Sequence, residues 1–196
     1  MTQEPPPDQE SQDLYKKRGF HSIEQSVDTS LTEVRTGMLG KRRLLPTKWD
    51  KLNRNLLGGL QPGKMYVIAG RPGVGKSAFS NQLIFDVLDR NVDKKLIVLY
   101  WSFEMPGHQQ ILRAGSKDVK KEVIDLLSVE KKLSKEDYDR YEEKVAAYRH
   151  YPIYFNNIPR TIKYIKETNV EVFKETPGAL IINLFDHSRL IIGQAD

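Results

Sequence analysis

Met65-Tyr-Val-Ile-Ala-Gly-Arg-Pro-Gly-Val-Gly-Lys-Ser-Ala-Phe-Ser80 is the stretch that decides the fold. Met65 to Ala69 is a short apolar run, which predicts a buried strand. Gly70 to Ser77 then fits G-x-x-x-x-G-K-[ST] at every fixed position. After it, Ala78, Phe79, Leu83, Ile84 and Val87 recur at helical spacing. A glycine-rich turn that binds nothing could carry the bare pattern, but strand, glycine loop and helix in that order make it a phosphate site. The glycines let the backbone turn tightly and bring successive N–H groups to an anion. The helix N-terminus adds its unpaired N–H groups and its dipole. The nucleotide-binding stretch is therefore Gly70, Arg71, Pro72, Gly73, Val74, Gly75, Lys76, Ser77 and Ala78. Within it, Lys76 can reach the β- and γ-phosphates as a point charge, and Ser77 can offer its hydroxyl to Mg2+.

The chain around this stretch has 196 residues, room for one domain with a sizeable core plus an extension. Hydrophobic content of 39% beside 29% charged residues is that of a soluble globular protein. No apolar run approaches the roughly 20 residues of a membrane span, so no membrane partner is expected. The start, Met1-Thr-Gln-Glu-Pro-Pro-Pro, is polar and acidic, unlike a secretory signal. Cysteine is absent, which excludes disulfides and thiolate metal sites and is compatible with a reducing cytoplasm. The net charge of +5 is uneven, because Glu4, Asp8, Glu10 and Asp13 precede any Lys or Arg. The body is thus more basic than the whole, which suits a polyanion such as nucleic acid.

Residues 1–20, with three consecutive prolines and little apolar content, read as a disordered tail. In 21–45, Ile23, Val27, Leu31 and Val34 form one apolar stripe on an amphipathic helix with Ser22 as its N-cap. Such a stripe packs on its own domain or docks on a neighbour. Gly37, Gly40 and Lys41-Arg42-Arg43 separate it from residues 46–196, the nucleotide domain. There Trp49, Leu52, Leu56 and Leu57 suggest a short helix before the first strand. Leu96 to Phe103 is a second buried strand, and Pro106 suits the first turn of a helix carrying Ile111, Leu112 and Ala114. Ser134 with Glu136 and Asp137 starts a helix over 138–149. Tyr151 to Phe155 is a third strand, Thr161 caps a further helix, and Ala179 to Asp186 is a fourth strand in which Asn183 is out of pattern. Strands alternating with helices predict an α/β fold with a mostly parallel sheet flanked by helices.

Two carboxylates end strands in this scheme. Asp186 has the place where P-loop NTPases hold Mg2+, although many strands end in Asp because it starts turns well. Glu104 ends the second strand, and C-terminal strand ends face the ligand crevice of a parallel sheet. It could activate the water that attacks the γ-phosphate, or simply favour the helix N-terminus that follows.

Leu57-Gly-Gly-Leu-Gln-Pro-Gly-Lys-Met-Tyr-Val-Ile-Ala-Gly-Arg-Pro-Gly-Val-Gly-Lys-Ser-Ala-Phe79 resembles the opening of the motor domain of DnaB-type replicative helicases. Ser102-Phe-Glu-Met-Pro106 resembles the family's next motif, and Leu180 to Leu190 its Walker B strand. The likeness runs from about residue 46 to 192 in the family's order. It implies a RecA-like P-loop core, here ending shortly after the Walker B strand. It also implies ATP and Mg2+ as cofactors, Glu104 and Lys76 as catalytic residues, and Ser77 and Asp186 as metal ligands. The helix at 22–36 falls where the family has a linker helix that docks on the next subunit of a hexameric ring. Single-stranded DNA is the implied partner, with primase or a loader beside it. A bacterial cytoplasm, or a phage protein in a bacterial host, is the implied setting.

The tail is too short to be the family's primase-engaging collar domain. About ten residues follow Asp186, whereas in the family the sensor strand, the DNA-binding loops and the arginine finger follow. In RecA-like sheets the sensor strand lies between the P-loop strand and the Walker B strand. A gap with unpaired backbone groups is therefore expected there, unless the chain is a fragment of a longer helicase or something else fills it. An ATP-binding loader or regulator without unwinding activity, and a RecA-type recombinase, are the alternative functions.

Overall fold

β1, Leu96–Ser102, is apolar on both faces and buried along its whole length. Successive side chains of a strand point to opposite sides. Leu96, Val98 and Tyr100 accordingly join Leu45, Ile84, Val87 and Leu88 in one cluster. Ile97, Leu99 and Trp101 join Phe103, Ile165 and Ala179 in another. A strand of this kind belongs in the middle of a parallel sheet covered by helices. The computed structural model, which describes residues 17–186 and 191, has that arrangement. β2 (Ile153–Asn156) and β3 (Leu180–Asp186) flank β1, both parallel to it, in the order β2-β1-β3. The register sets Ser102 beside Asp186, so both strands end together.

The chain divides into two units, Met1–Arg43 and Leu44–Asp196. The first contains α1, Ile23–Met38. Its N-cap is a full capping box, in which Ser22 Oγ accepts from the Gln25 N–H and Gln25 Oε1 accepts from the Ser22 N–H. No residue of α1 is buried, and Leu31 is 65% exposed. The expected tail over 1–20 falls, for its first 16 residues, outside the described part.

The second unit holds α2 (Asp50–Asn55), α3 (Lys76–Arg90), α4 (Gly107–Asp118), α5 (Val123–Leu127), α6 (Lys135–Ala147) and α7 (Ile162–Glu175). α3 covers one face of β1 through Ile84, Val87 and Leu88, while Ile165 of α7 covers the other. The caps follow the sequence: Ser134 Oγ accepts from the Asp137 N–H, and Thr161 Oγ1 from the Tyr164 N–H. Pro106 stands at the N-cap of α4, one place earlier than expected. The segment before α2 is knotted by Thr47 and Asn53, whose side chains and backbone exchange three hydrogen bonds of 2.7–2.8 Å. An antiparallel bridge from Leu45 to Leu60 closes that loop. Gly59 makes the closure possible, because a Cβ there would sit 2.4 Å from the Leu45 carbonyl oxygen.

One expected strand is not formed. Met65–Ala69 runs up to the glycine loop as irregular chain, with Met65 88% and Val67 76% exposed. Apolar composition alone does not make a strand; a ladder partner is needed to satisfy its N–H and C=O groups. β3 spends its hydrogen bonds on β1, and among the described residues no strand lies along its other edge or beside 65–69. The described sheet therefore has three strands, in the order β2-β1-β3, instead of the four expected.

Candidate nucleotide-binding and catalytic site

The glycine loop owes its shape to Gly73 (φ 80°) and Gly75 (φ 90°), both in the left-handed region that side chains disfavour. Gly75 is the N-cap of α3, and its carbonyl accepts from the Phe79 N–H at 2.8 Å. No side chain caps this end, which leaves the first-turn N–H groups available to an anion. Gly70, Arg71, Pro72, Val74 and Ala78 are exposed along the loop, while Lys76 and Ser77 are half-buried. The Lys76 ammonium curls back over its own loop and donates to the Arg71 carbonyl at 3.0 Å.

Ser77 meets Asp186 across the sheet end. The Ser77 hydroxyl donates to Asp186 Oδ1 at 3.0 Å, joining the first turn of α3 to the last residue of β3. A hydroxyl and a carboxylate are hard oxygen donors of the kind Mg2+ takes, so the pair fits that ion. Among the described residues no group of three or more His, Cys, Asp or Glu could hold a metal unaided. The pair thus suits a cation that completes its shell with water and phosphate oxygens. Glu104 is exposed in the turn between β1 and α4, at the same end of the sheet.

Beneath these groups lies a polar layer that hydrophobic patterning does not reveal. Gln110 is fully buried, and its Nε2 donates to Ser102 Oγ at 3.0 Å and faces Asp186 Oδ2 at 3.5 Å. Asn81 of α3 donates to the Gln110 carbonyl at 3.0 Å. Burial pushes the Tyr100 phenol well above its usual pKa; the Asp186 carboxylate adds to that, and Arg113 opposes it. The buried face of α4 consists of Gly107, Gln110, Gly115 and Ser116, not of its aliphatic residues. The one signal the sequence offers for it is that small and polar residues stand at these four positions.

Comparison with known proteins gives the family and the fold. The DnaB-like helicase C terminal domain family matches residues 45–195. The replicative DNA helicase DnaB of Buchnera aphidicola subsp. Schizaphis graminum is 34% identical over 101 residues, which are 50% of this chain and 21% of that protein. The DNA repair protein RadA of Aquifex aeolicus is 43% identical over 68 residues, 35% of this chain and 14% of that protein. The chain thus spans only a minor part of the length of these relatives. A solved structure described as the ATPase domain of G40P superposes with a TM-score of 0.72 at 20% identity, covering 90% of this chain and 60% of that one. That likeness shows a RecA-like fold, a parallel sheet flanked by helices. With the loop, the sheet end and a match over residues 45–195 in agreement, this chain belongs to the DnaB-like helicase C-terminal domain family.

Proposed function

We propose that the chain is the leading part of the motor domain of an ATP-driven replicative DNA helicase that translocates on single-stranded DNA. The observation that carries this reading is the Ser77–Asp186 contact at the foot of α3, beside a glycine loop with an uncapped helix end. The loop amides and Lys76 neutralise the phosphates of ATP. The Lys76 ammonium leaves the Arg71 carbonyl for them, exchanging a neutral acceptor for a charged one. Ser77 and Asp186 would hold Mg2+, which when bound would supply positive charge toward the phosphates. Glu104, at the open end of β1, orients and deprotonates the attacking water. A neighbouring copy supplies the arginine finger, and α1 docks between copies of a ring, its stripe of Ile23, Val27, Leu31 and Val34 left exposed for that purpose. Primase or a loader is a further partner in this reading.

Unwinding of a forked duplex by the full-length protein, dependent on ATP and Mg2+, tests the proposal. ATP binding to a helicase ring without unwinding would instead make the protein a loader or regulator. The similarity to RadA favours a second reading, a recombinase-type ATPase, and strand exchange without unwinding would select it.

A further inference from the structure

Buried amides are expected to have every donor and acceptor partnered, and Gln110 does not obey that rule evenly. Its Nε2 lies between two acceptors, while its Oε1 is buried with no hydrogen-bond partner. The orientation is forced by chemistry. Ser102 spends its one hydroxyl hydrogen on the Met105 carbonyl, so it can only accept from Gln110. Asp186, as a carboxylate, can also only accept. An amide turned the other way would set its oxygen against two oxygens. The same carboxylate is held at its second atom, because Oδ1 accepts from Ser77. The two oxygens of Asp186 are thus claimed from opposite sides, one by the metal-site hydroxyl and one by Gln110. The 3.5 Å separation is the long end of hydrogen-bond reach, as is common in a site that tightens when its ligand arrives.

We propose that Gln110 is a positioning residue of the nucleotide site: its side-chain amide aims the Asp186 carboxylate at the metal and ties it to the Ser102–Met105 turn that carries Glu104. Glu104 follows Ser102 by two residues, and the bond from Ser102 to Met105 spans it. One amide therefore links the metal-holding carboxylate with the turn of the water-activating one. Asn81, donating to the Gln110 carbonyl, fixes this part of α4 to α3, which carries Ser77. The inference rests on the nucleotide reading of the site and extends it to a residue that touches neither nucleotide nor metal.

The test is the Mg2+ enhancement of fluorescent ADP-analogue binding to the 196-residue chain, the ratio of affinities with and without Mg2+, read beside a melting curve. Gln110→Met keeps length and volume and removes the donor. It is expected to stay folded, to bind the analogue without Mg2+ as the parent does, and to lose Mg2+ enhancement by about tenfold or more, as outer-shell changes at metal sites do. In an Asp186→Asn background the same change is expected to add nothing. Full enhancement in Gln110→Met overturns the inference, as do equal losses with and without Mg2+ or losses that add to those of Asp186→Asn. If Gln110→Met does not fold, Ser102→Ala decides, since it frees the amide from one anchor; a smaller loss of enhancement supports the proposal and none overturns it. A parent chain with no Mg2+ enhancement overturns the nucleotide reading and this inference together. Normal enhancement in both parent and Gln110→Met overturns this inference alone.

Discussion

Asn183 occupies the middle of β3 and makes three side-chain hydrogen bonds there. Its Oδ1 accepts from Trp101 Nε1 at 3.0 Å and from Asn169 Nδ2 at 3.1 Å, and its Nδ2 donates to Asn169 Oδ1 at 2.7 Å. Asn183→Leu leaves the buried Trp101 Nε1 and the half-buried Asn169 Oδ1 without this acceptor and donor, while Asn169 Nδ2 keeps its bond to the Ile165 carbonyl. It is therefore expected to cost about 2 kcal/mol, read from the midpoint of urea unfolding. At the loop, Lys76→Ala is expected to remove binding of a fluorescent ATP analogue, because the point charge toward the phosphates is gone; unchanged affinity would return the glycine loop to a mere turn. Glu104→Gln in the full-length protein separates binding from chemistry. Nucleotide affinity should hold while hydrolysis falls by about a hundredfold or more, and a parental rate would make Glu104 only a helix-end residue. Asn183 also shows where residue-level reading stops. It interrupts an apolar run, and its partners Trp101 and Asn169 become visible only once β1, β3 and α7 are packed together.

Elements with a local cause were legible in the sequence. α1, α6 and α7 begin at Ser22, Ser134 and Thr161, because a hydroxyl at the N-cap satisfies an orphan N–H wherever the helix later packs. β1 was legible because an unbroken apolar, β-branched and aromatic run is stable only between two helical layers. Met65–Ala69 has similar apolarity and is not a strand, since pairing depends on a neighbour that composition does not name. The buried face of α4 was illegible for the opposite reason: Gln110 and Ser116 are polar, and periodicity counts only apolar residues. For α1 the exposure of Leu31 sharpens an expectation. Leu31→Glu should change the stability of the second unit by less than about 0.5 kcal/mol, as at other surface positions. In the full-length protein it should also yield a folded species of lower mass with low ATPase activity. Sedimentation beside a melting curve checks both, and an intact ring with a lowered melting temperature would make α1 a core helix.

At the scale of the whole second unit, a well-supported sheet stands beside a lead-in segment that lies outside it. β1 is buried on both faces, every residue of β3 is only half-buried, and the lead-in to the glycine loop has no ladder at all. The meeting of Ser77 with Asp186, 109 residues later, was foreseeable from the family resemblance, which made both metal ligands; the layer beneath it was not. The unpaired lead-in has a thermodynamic consequence for the loop it feeds. A phosphate loop fixed by α3 at one end and by no ladder at the other is expected to occupy its binding geometry only part of the time. The apparent dissociation constant is then the intrinsic one divided by that occupied fraction. Linkage requires the converse, that bound nucleotide orders the lead-in. Amide hydrogen exchange is expected to be fast at 65–69 and slowest in β1, and Mg-ADP should slow the former without changing the latter. Exchange at 65–69 that ignores saturating nucleotide would show the two to be uncoupled. If they are coupled, any strand that pairs with the lead-in acts as an effector, raising nucleotide affinity from a distance by removing alternatives from the ensemble.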